Sequence, residues 1–163
     1  MARSDCPPQR RRLVARTRVG VVAMHMLGNP KTMQEQPRYR SVVGEVRSFF
    51  ADRIRVLESA GVASEAIAID PGVGFGKTPD HNVALLANLH EIVALGHPVV
   101  VGVSRKSFIG RIAGAEADDR LPGSLAAAAL AVAQGAHVVR AHDVRATVQA
   151  TRVADRILRG EKL

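Results

Sequence analysis

The sequence is poor in cysteine, in aromatic residues and in long apolar runs. Cys6 is the single cysteine among 163 residues, which excludes an intrachain disulfide framework and predicts a reducing, cytoplasmic location. Aromatic residues make up 3% of a chain that is 47% hydrophobic, which favours helices packed on a buried sheet over an aromatic-rich sandwich. No apolar run reaches the roughly 18 residues that a spanning helix needs, so we expect a single domain without a membrane partner.

Positive charge is concentrated at the N-terminus. The formal net charge is +8 at pH 7, and residues 1–18 hold six arginines against one acid, Asp5. Residues 19–163 hold 17 of the 23 basic and 14 of the 15 acidic residues. The basic segment lacks aromatic stacking residues, so no nucleic-acid partner is predicted. We expect residues 1–18 to be a disordered arm outside the domain, leaving open a transit peptide, a phosphate-binding arm or non-native coding sequence.

Short apolar runs alternate with helical patterns from residue 19 onwards. This alternation predicts an α/β fold with a parallel sheet and right-handed crossovers. A complete (β/α)₈ barrel needs about 250 residues, so four units leave a small doubly wound sheet or a half barrel that needs completion. The predicted strands are residues 19–24, 66–70, 98–103 and 137–140. The predicted helices are residues 42–57, ended by Gly61, then 80–95, 108–113, 124–134 and 143–159, with Asp80 and Asp143 near two of the caps.

The glycine-rich loop after the second strand begins with Asp70. Ligands of parallel α/β folds bind at the carboxyl ends of the strands. The loop is neither a P-loop nor a dinucleotide fingerprint, because Pro71 and Lys77 stand where those motifs need glycine. Its three glycines let backbone approach a ligand. Asp70 either accepts two N–H bonds from a heterocycle edge or caps a tight turn.

Cationic residues follow the third and fourth strands. Arg105 and Lys106 stand between two serines at a predicted helix start, which suits an anion or a solvated turn. Arg140 and His142 alternate with Ala141, so both can face one side if strand geometry persists. Barrels commonly bind phosphate after their last two strands. Met24 ends the first strand, where its side chain packs either on a planar ligand or in the core.

Five strings of residues together resemble the dihydropteroate synthase family. They are MHMLGNPKTMQ at 24–34, DPGVGFGKTPDHN at 70–82, GVSRKSFIG at 102–110, GSLAAAALAVAQGA at 123–136 and RAHDV at 140–144. Their order and spacing follow the family over about residues 19–160. The resemblance implies a (β/α)₈ TIM barrel of which only the last four βα units are present. It also implies a transferase of folate biosynthesis that condenses 6-hydroxymethyl-7,8-dihydropterin diphosphate with 4-aminobenzoate, releases diphosphate and is a sulfonamide target.

The resemblance assigns roles residue by residue. The implied mechanism is electrostatic, with a loosening C–O bond to diphosphate and attack by the arylamine. Mg²⁺ is the implied cofactor, with the family's metal ligand in the half without a counterpart here, and a homodimer is the implied assembly. The implied catalytic residues are Asp70, Lys106, Arg140 and His142; the pterin site comprises Met24, Asp70, Gly102, Lys106 and Arg140; the aminobenzoate site comprises Phe75 and Ser107; and the diphosphate site comprises Arg140 and His142.

The family's first four βα units have no counterpart in the sequence. Residues 19–163 are therefore predicted to be the C-terminal half, and the change at Val19 suggests a gene fragment, a frameshift or a misassigned start. A half barrel exposes strand edges and interior apolar side chains, so we expect poor solubility or oligomers and little activity. Two alternatives stay open: a pterin-binding methyltransferase-like domain with no diphosphate to expel, and a non-catalytic half that completes or regulates another subunit.

Overall fold

The computed structural model describes residues 8–29, 33 and 36–160. Residues 1–7 of the predicted arm, and residues 30–32 and 34 of the first motif, lie outside the described residues. Strands alternate with helices, so the predicted α/β class is confirmed. The elements are α1 (Pro8–Thr17), β1 (Val21–Met24), α2 (Val42–Ser59), β2 (Ile67–Asp70), α3 (Pro79–Ala87), α4 (Leu89–Val93), β3 (Val100–Val101), α5 (Ser107–Ala113), α6 (Leu121–Ala133), β4 (Val138–Val139) and α7 (Val144–Arg159), with short 3₁₀ turns at Ser64–Ala66 and Ala117–Asp119.

The four strands run parallel and follow one another in chain order. β1 pairs with β2, with Met24 opposite Asp70 at its end, and β3 pairs with β4. One bridge, between Ile69 and Val99, joins the two pairs. The carbonyl of Val99 accepts hydrogen bonds from two successive amides at the start of β4. This irregular ladder leaves β3 and β4 shorter than the predicted strands 98–103 and 137–140.

Strand alternation divides the sheet into two faces of different exposure. The side chains on one face are at most 1% exposed and pack against the helices. They belong to Ile67, Ile69, Val99 and Val101. The opposite side, which we call the open sheet face, carries Val22, Ala68, Val100 and Val138. Val22 is 57% exposed and Val138 is 49% exposed, because nothing among the described residues covers these two positions.

Local side-chain chemistry sets the helix ends. Gly61, with φ of +88°, follows the end of α2, as predicted. Asp80 lies in the first turn of α3, near the cap as predicted. The cap itself is Thr78, whose hydroxyl accepts the N–H of His81 while the His81 ring accepts the N–H of Thr78. The single predicted helix 80–95 is broken at Asn88, which separates α3 from α4. That side chain donates to a carbonyl of the preceding turn.

The N-terminal arm contains a helix where we expected disorder. Residues Pro8–Thr17 form α1, and Val14 and Ala15 pack against the core. Ala15 lies beside the turn at Gly61. The expected disorder is therefore wrong for these residues. Composition did not indicate the helix because its few apolar residues stand among many arginines. None of the helices within the described ranges is long and apolar enough to cross a membrane.

We predict that Phe50→Ala lowers the free energy of unfolding by about 3–5 kcal/mol. Phe50 lies on α2 and is fully buried, so the substitution leaves a cavity between the helix and the sheet. Val153→Ala on α7 is the control, because Val153 is 60% exposed and its truncation should change stability by less than about 0.5 kcal/mol. Urea denaturation measures both. Equal effects would contradict the assigned core.

Candidate active site

A buried carboxylate ends β2. The Asp70 side chain is 6% exposed, its Oδ1 accepts the N–H of Gly72 at 2.8 Å, and its Oδ2 lies 3.7 Å from Nη2 of Arg140. Burial raises the pKa of Asp70, and the hydrogen bond from Gly72 and three nearby cations oppose that rise only in part. The cations are Arg140, Lys106 and Lys77. One carboxylate oxygen is therefore fixed by the loop, and the other faces positive charge.

Gly102 makes room for the guanidinium that reaches Asp70. Gly102 and Arg140 each stand one residue beyond the paired ends of β3 and β4. A Cβ at Gly102 would lie 2.8 Å from Nη2 of Arg140 and 3.2 Å from its Cζ. Glycine thus leaves the Arg140 side chain free to cross β3. Strand alternation places both residues on the same face as Asp70 and Met24.

Lys106 and Phe75 bring the loops after β2 and β3 together. Nζ of Lys106 lies 4.2 Å from the centre of the Phe75 ring, within cation–π distance. Burial and the charge of Arg140 lower the pKa of Lys106, and Asp70 raises it in part. A Cβ at Gly74 would press on the Lys106 side chain at 3.1 Å. The aromatic ring, the ammonium and the carboxylate therefore line one site.

Two glycines allow the loop after β2 to lie against the loop after β1. Gly72 has φ of +66°, and a Cβ there would meet the backbone carbonyl of His25. Gly76 has φ of +62°, and its Cβ would press on Leu27, with the nearest atom at 2.5 Å. Any L side chain at these positions is both strained and obstructed. The carbonyl of Gly76 also accepts the hydroxyl of Tyr39 at 2.8 Å.

A buried lysine lies beneath this loop. Lys77 is 3% exposed, and its Nζ lies 2.9 Å from Nδ1 of His25, 3.1 Å from the carbonyl of Gly72 and 3.0 Å from that of Phe75. Burial lowers the pKa of Lys77 to about 7, against the raising effect of Asp70. Burial and the charge of Lys77 lower the pKa of His25 to about 3. Neither residue is predicted to be functional from the sequence.

Arg105 and Asp143 connect the loops after β3 and β4. Nε and Nη2 of Arg105 donate to both carboxylate oxygens of Asp143, at 3.0 and 2.6 Å, and these hydrogen bonds lower the pKa of Asp143. Asp143 is the N-cap residue of α7, as predicted, but its side chain makes no cap hydrogen bond because Arg105 holds it. Because Arg105 is paired, Lys106 is the cation of this pair that faces Asp70.

His142 and Ser107 lie at the edge of the cluster. His142 is exposed, and Ser104 Oγ accepts its backbone N–H at 3.2 Å and lies 3.0 Å from its Nδ1. When the Ser104 hydroxyl donates to Nδ1, the opposite ring nitrogen carries the hydrogen and is a donor. Ser107 begins α5 and lines a cavity of about 140 Å³ with Lys77 and Arg111. The structure thus brings Asp70, Gly102, Lys106, Phe75 and Arg140 together. It holds His142 against Ser104 of the loop after β3, and it places Ser107 on a separate cavity that Phe75 does not line.

Magnesium finds no ready set of ligands among these residues. Within the described ranges, no group of three or more His, Cys, Asp or Glu side chains is placed to hold a metal ion. Asp70, the carboxylate at the centre of the cluster, is occupied by Gly72 and faces Arg140. The donor set therefore does not fit a resident cation.

The arrangement suits a planar, hydrogen-bonding ring that carries an anionic group. Asp70 supplies an acceptor edge, Phe75 an apolar face, and Lys106 and Arg140 supply positive charge. The Asp70 side chain is buried, which strengthens its interactions relative to water, whereas the Arg140 side chain is 63% exposed. Asp70, Lys106 and Arg140 carry charges held close together, so the arrangement can stabilise charge on a ligand electrostatically.

Comparisons with known proteins agree with this geometry. The sequence profile of the family described as pterin binding enzyme matches residues 4–142. Dihydropteroate synthase of Escherichia coli (strain K12) is 47% identical over 156 residues, which cover 96% of this chain and 55% of that protein. The Yersinia pestis dihydropteroate synthase, solved as a sulfonamide drug complex, is 37% identical with a TM-score of 0.91 and covers 96% of this chain and 57% of its own. The Xanthomonas albilineans enzyme in complex with 7,8-dihydropteroate is 43% identical with a TM-score of 0.85 and covers 93% and 55%.

The chain belongs to the family of pterin-binding enzymes. Within that family it is similar to dihydropteroate synthases, and it spans about half the length of the curated relatives it matches. The solved relatives support the predicted TIM-barrel class. The match begins at residue 4. It therefore extends across Val19, the junction at which we expected the resemblance to begin and on which we based the expectation of a frameshift or misassigned start.

We predict that Asp70→Asn raises the free energy of unfolding at pH 7. Burial raises the folded-state pKa of Asp70 above its unfolded value, so the folded chain binds the proton more tightly and stability falls as pH rises between the two values. Asparagine removes that fall and still accepts the Gly72 N–H. The gain should shrink below about pH 4, where the unfolded aspartate is also protonated.

Urea denaturation at several pH values checks this prediction. Asp52→Asn is the matched control, because the Asp52 side chain is 73% exposed and should show no comparable pH-dependent gain. An Asp70→Asn variant that is less stable than the parent chain at pH 7 would contradict the assigned desolvation.

Proposed function

We propose that this chain supplies the pterin site, and with it the larger part of the active site, of a dihydropteroate synthase. The carrying observation is the buried Asp70 carboxylate, with one oxygen fixed by Gly72 and the other facing Arg140. An amidine-like pterin edge donates N–H groups that match a carboxylate. The 7,8-dihydropteroate complex of the Xanthomonas albilineans relative supports the same ligand class. Pterin diphosphate and 4-aminobenzoate are thus the proposed substrates.

The reaction we propose transfers the pterin methylene from oxygen to nitrogen. The amine nitrogen of 4-aminobenzoate forms a bond to that carbon as the C–O bond to diphosphate breaks, and the amine then loses one proton. Positive charge develops on the pterin, and the Asp70 carboxylate stabilises it. Charge placed before the reaction lowers the barrier without the cost of reorganisation.

Cations of the cluster take up the negative charge of the departing diphosphate. Arg140 presents a planar guanidinium that can bind phosphate oxygens with two hydrogen bonds, and His142 adds an N–H donor from the next turn. Lys106 covers the pterin beside Phe75, at 4.2 Å from the ring. Ser107 and Phe75 are proposed to contact the aminobenzoate. Magnesium is implied by the resemblance alone, and the described residues offer it no group of three or more carboxylate, imidazole or thiolate ligands.

The chain is proposed to form the last four units of a (β/α)₈ barrel. Its strands follow one another in order, and helix contacts run along the chain from α2 to α3, from α3 to α5, from α5 to α6 and from α6 to α7. A doubly wound sheet instead reverses its strand order at a switch point and carries helices on both faces. The open sheet face would then be the barrel interior. We expect the missing four units to be needed for full activity.

A homodimer and a cytoplasmic location stay predictions. α7 exposes apolar side chains at Val153, Ile157 and Leu158, with exposures of 60%, 75% and 54%. Exposed apolar clusters of this kind are typical of interaction surfaces. They support association without specifying the partner.

Release of diphosphate tests the proposed reaction. We expect this chain, mixed with the N-terminal half of the Escherichia coli relative, to release diphosphate only when both substrates are present. Lys106→Met should reduce the rate by at least about tenfold, and Asp52→Asn on the surface should not. Methyl transfer without diphosphate release would favour the methyltransferase alternative. Absence of turnover, together with absence of dihydropteroate binding to the chain, would contradict the proposal.

We predict that Gly102→Ala weakens the binding of inorganic diphosphate by about tenfold or more, or about 1.4 kcal/mol. The new Cβ would press on the Arg140 guanidinium, which moves away from Asp70 because it is the free end of a long side chain. Gly20→Ala is the matched control, since its Cβ would lie 3.8 Å from the nearest atom outside its own neighbours. Calorimetry with inorganic diphosphate measures both variants, and equal affinities would refute the assigned role.

A further inference from the structure

Lys77 has no part in the proposed reaction, yet it is one of the least exposed charged side chains among the described residues. It is 3% exposed, and its neighbour His25 is 2% exposed. An ammonium group has three N–H donors, and three acceptors surround Nζ of Lys77 at 2.9–3.1 Å. The number of donors equals the number of acceptors. The lysine is therefore fully used by the protein itself and is not available to a ligand.

The partners of Lys77 are the residues that shape the site. Gly72 accepts from Lys77 through its carbonyl and donates its N–H to Asp70. Phe75 accepts through its carbonyl, and its ring lies under Lys106. His25 bonds to Lys77 through its ring, and its backbone N–H donates to the Asp70 carbonyl at 2.9 Å. Each bond to Nζ therefore fixes a residue that contacts Asp70 or Lys106, which are both proposed to bind the pterin.

We propose that Lys77 is a positioning residue. Its ammonium holds the glycine-rich loop so that the Gly72 N–H donates to Asp70 and the Phe75 ring contacts the arylamine. The identity of the substrates rests on the proposed function, and the geometry of the loop does not. Three glycines with positive φ make this loop costly to order from its own backbone. A cation inside the loop supplies the acceptors with donors that backbone amides do not provide.

The energetics of burial favour positioning over a role in global stability. Burial lowers the pKa of Lys77 to about 7, below its unfolded value, so the folded chain binds this proton less tightly than the unfolded chain. The buried ammonium therefore reduces the free energy of unfolding at acid pH, and stability rises as pH increases above 7. The titratable groups that face Lys77 are His25, which stays neutral, and Asp70, with Lys106 and Arg140 beyond that carboxylate.

Lys77→Met tests the proposal in the full chain at pH 6, where the ammonium is present. Methionine keeps the length and removes the donors. Arg55→Met on α2 is the matched control, because it makes the same change of charge at a side chain that is 72% exposed. We expect hydrogen exchange in residues 70–77 to become at least tenfold faster in Lys77→Met. Exchange in α2 should stay unchanged, and Arg55→Met should match the parent chain.

Binding of 7,8-dihydropteroate, measured by calorimetry, separates this proposal from the proposed function. If the parent chain binds it, Lys77→Met should bind at least tenfold more weakly, and equal affinity would overturn the positioning role. If the parent chain does not bind it, that result counts against the proposed pterin site, and the exchange of residues 70–77 still decides on Lys77. Unchanged exchange in that loop would overturn the positioning role.

The tautomer of His25 provides a second measurement that needs no variant. With Lys77 as donor, Nδ1 of His25 is the acceptor and Nε2 carries the hydrogen. Nitrogen NMR of the parent chain at pH 6 should therefore show an unprotonated, hydrogen-bonded Nδ1. A protonated Nδ1 at that pH would show that Lys77 does not donate to it and would overturn the proposal, even if Lys77→Met fails to fold.

Discussion

The two-residue alternation of the strands is the constraint on which the site depends. Ile67 and Ile69 on β2 are buried against the helices, so the residue that ends the strand, Asp70, must face the other way. The same alternation on β4 sends Arg140 to the side of Asp70. A slip of one residue would bury Asp70 on β2, or Arg140 on β4, against the helices and would expose the apolar row of that strand. The core and the charged site are therefore specified by the same register.

Glycines at the strand ends allow the close contacts that the strand register makes possible. The carboxyl ends of neighbouring parallel strands meet at one edge, but side chains there would keep the loops apart. Gly72 lets the loop after β2 touch the carbonyl of His25, and Gly102 lets the Arg140 guanidinium cross β3. In the first case backbone meets backbone, and in the second a side chain uses the space of a missing Cβ. The short distances in the site therefore depend on the missing Cβ atoms of these glycines as much as on attractive contacts.

Strand positions, most helix positions and the meeting of Asp70 with Arg140 could be predicted from the sequence. Apolar runs indicate strands, and parallel topology brings their carboxyl ends together. The packing of α1 could not be predicted, because a few apolar residues among many arginines carry little composition signal. The position of Lys77 could not be predicted either. Lysine is almost never fully buried, and its three partners become neighbours only after Gly72 and Gly76 have folded the loop back.

Local charge at the site is more informative than the net charge of the chain. Most of the +8 lies in residues 1–18, so the net charge says little about the charge around Asp70. Around Asp70 the cations Lys77, Lys106 and Arg140 outnumber the single carboxylate. Lys77 is turned inward by its own loop, so two cations remain for a ligand. Asp70 supplies only one negative charge to these two cations, so an anionic ligand would balance the remaining positive charge at the site.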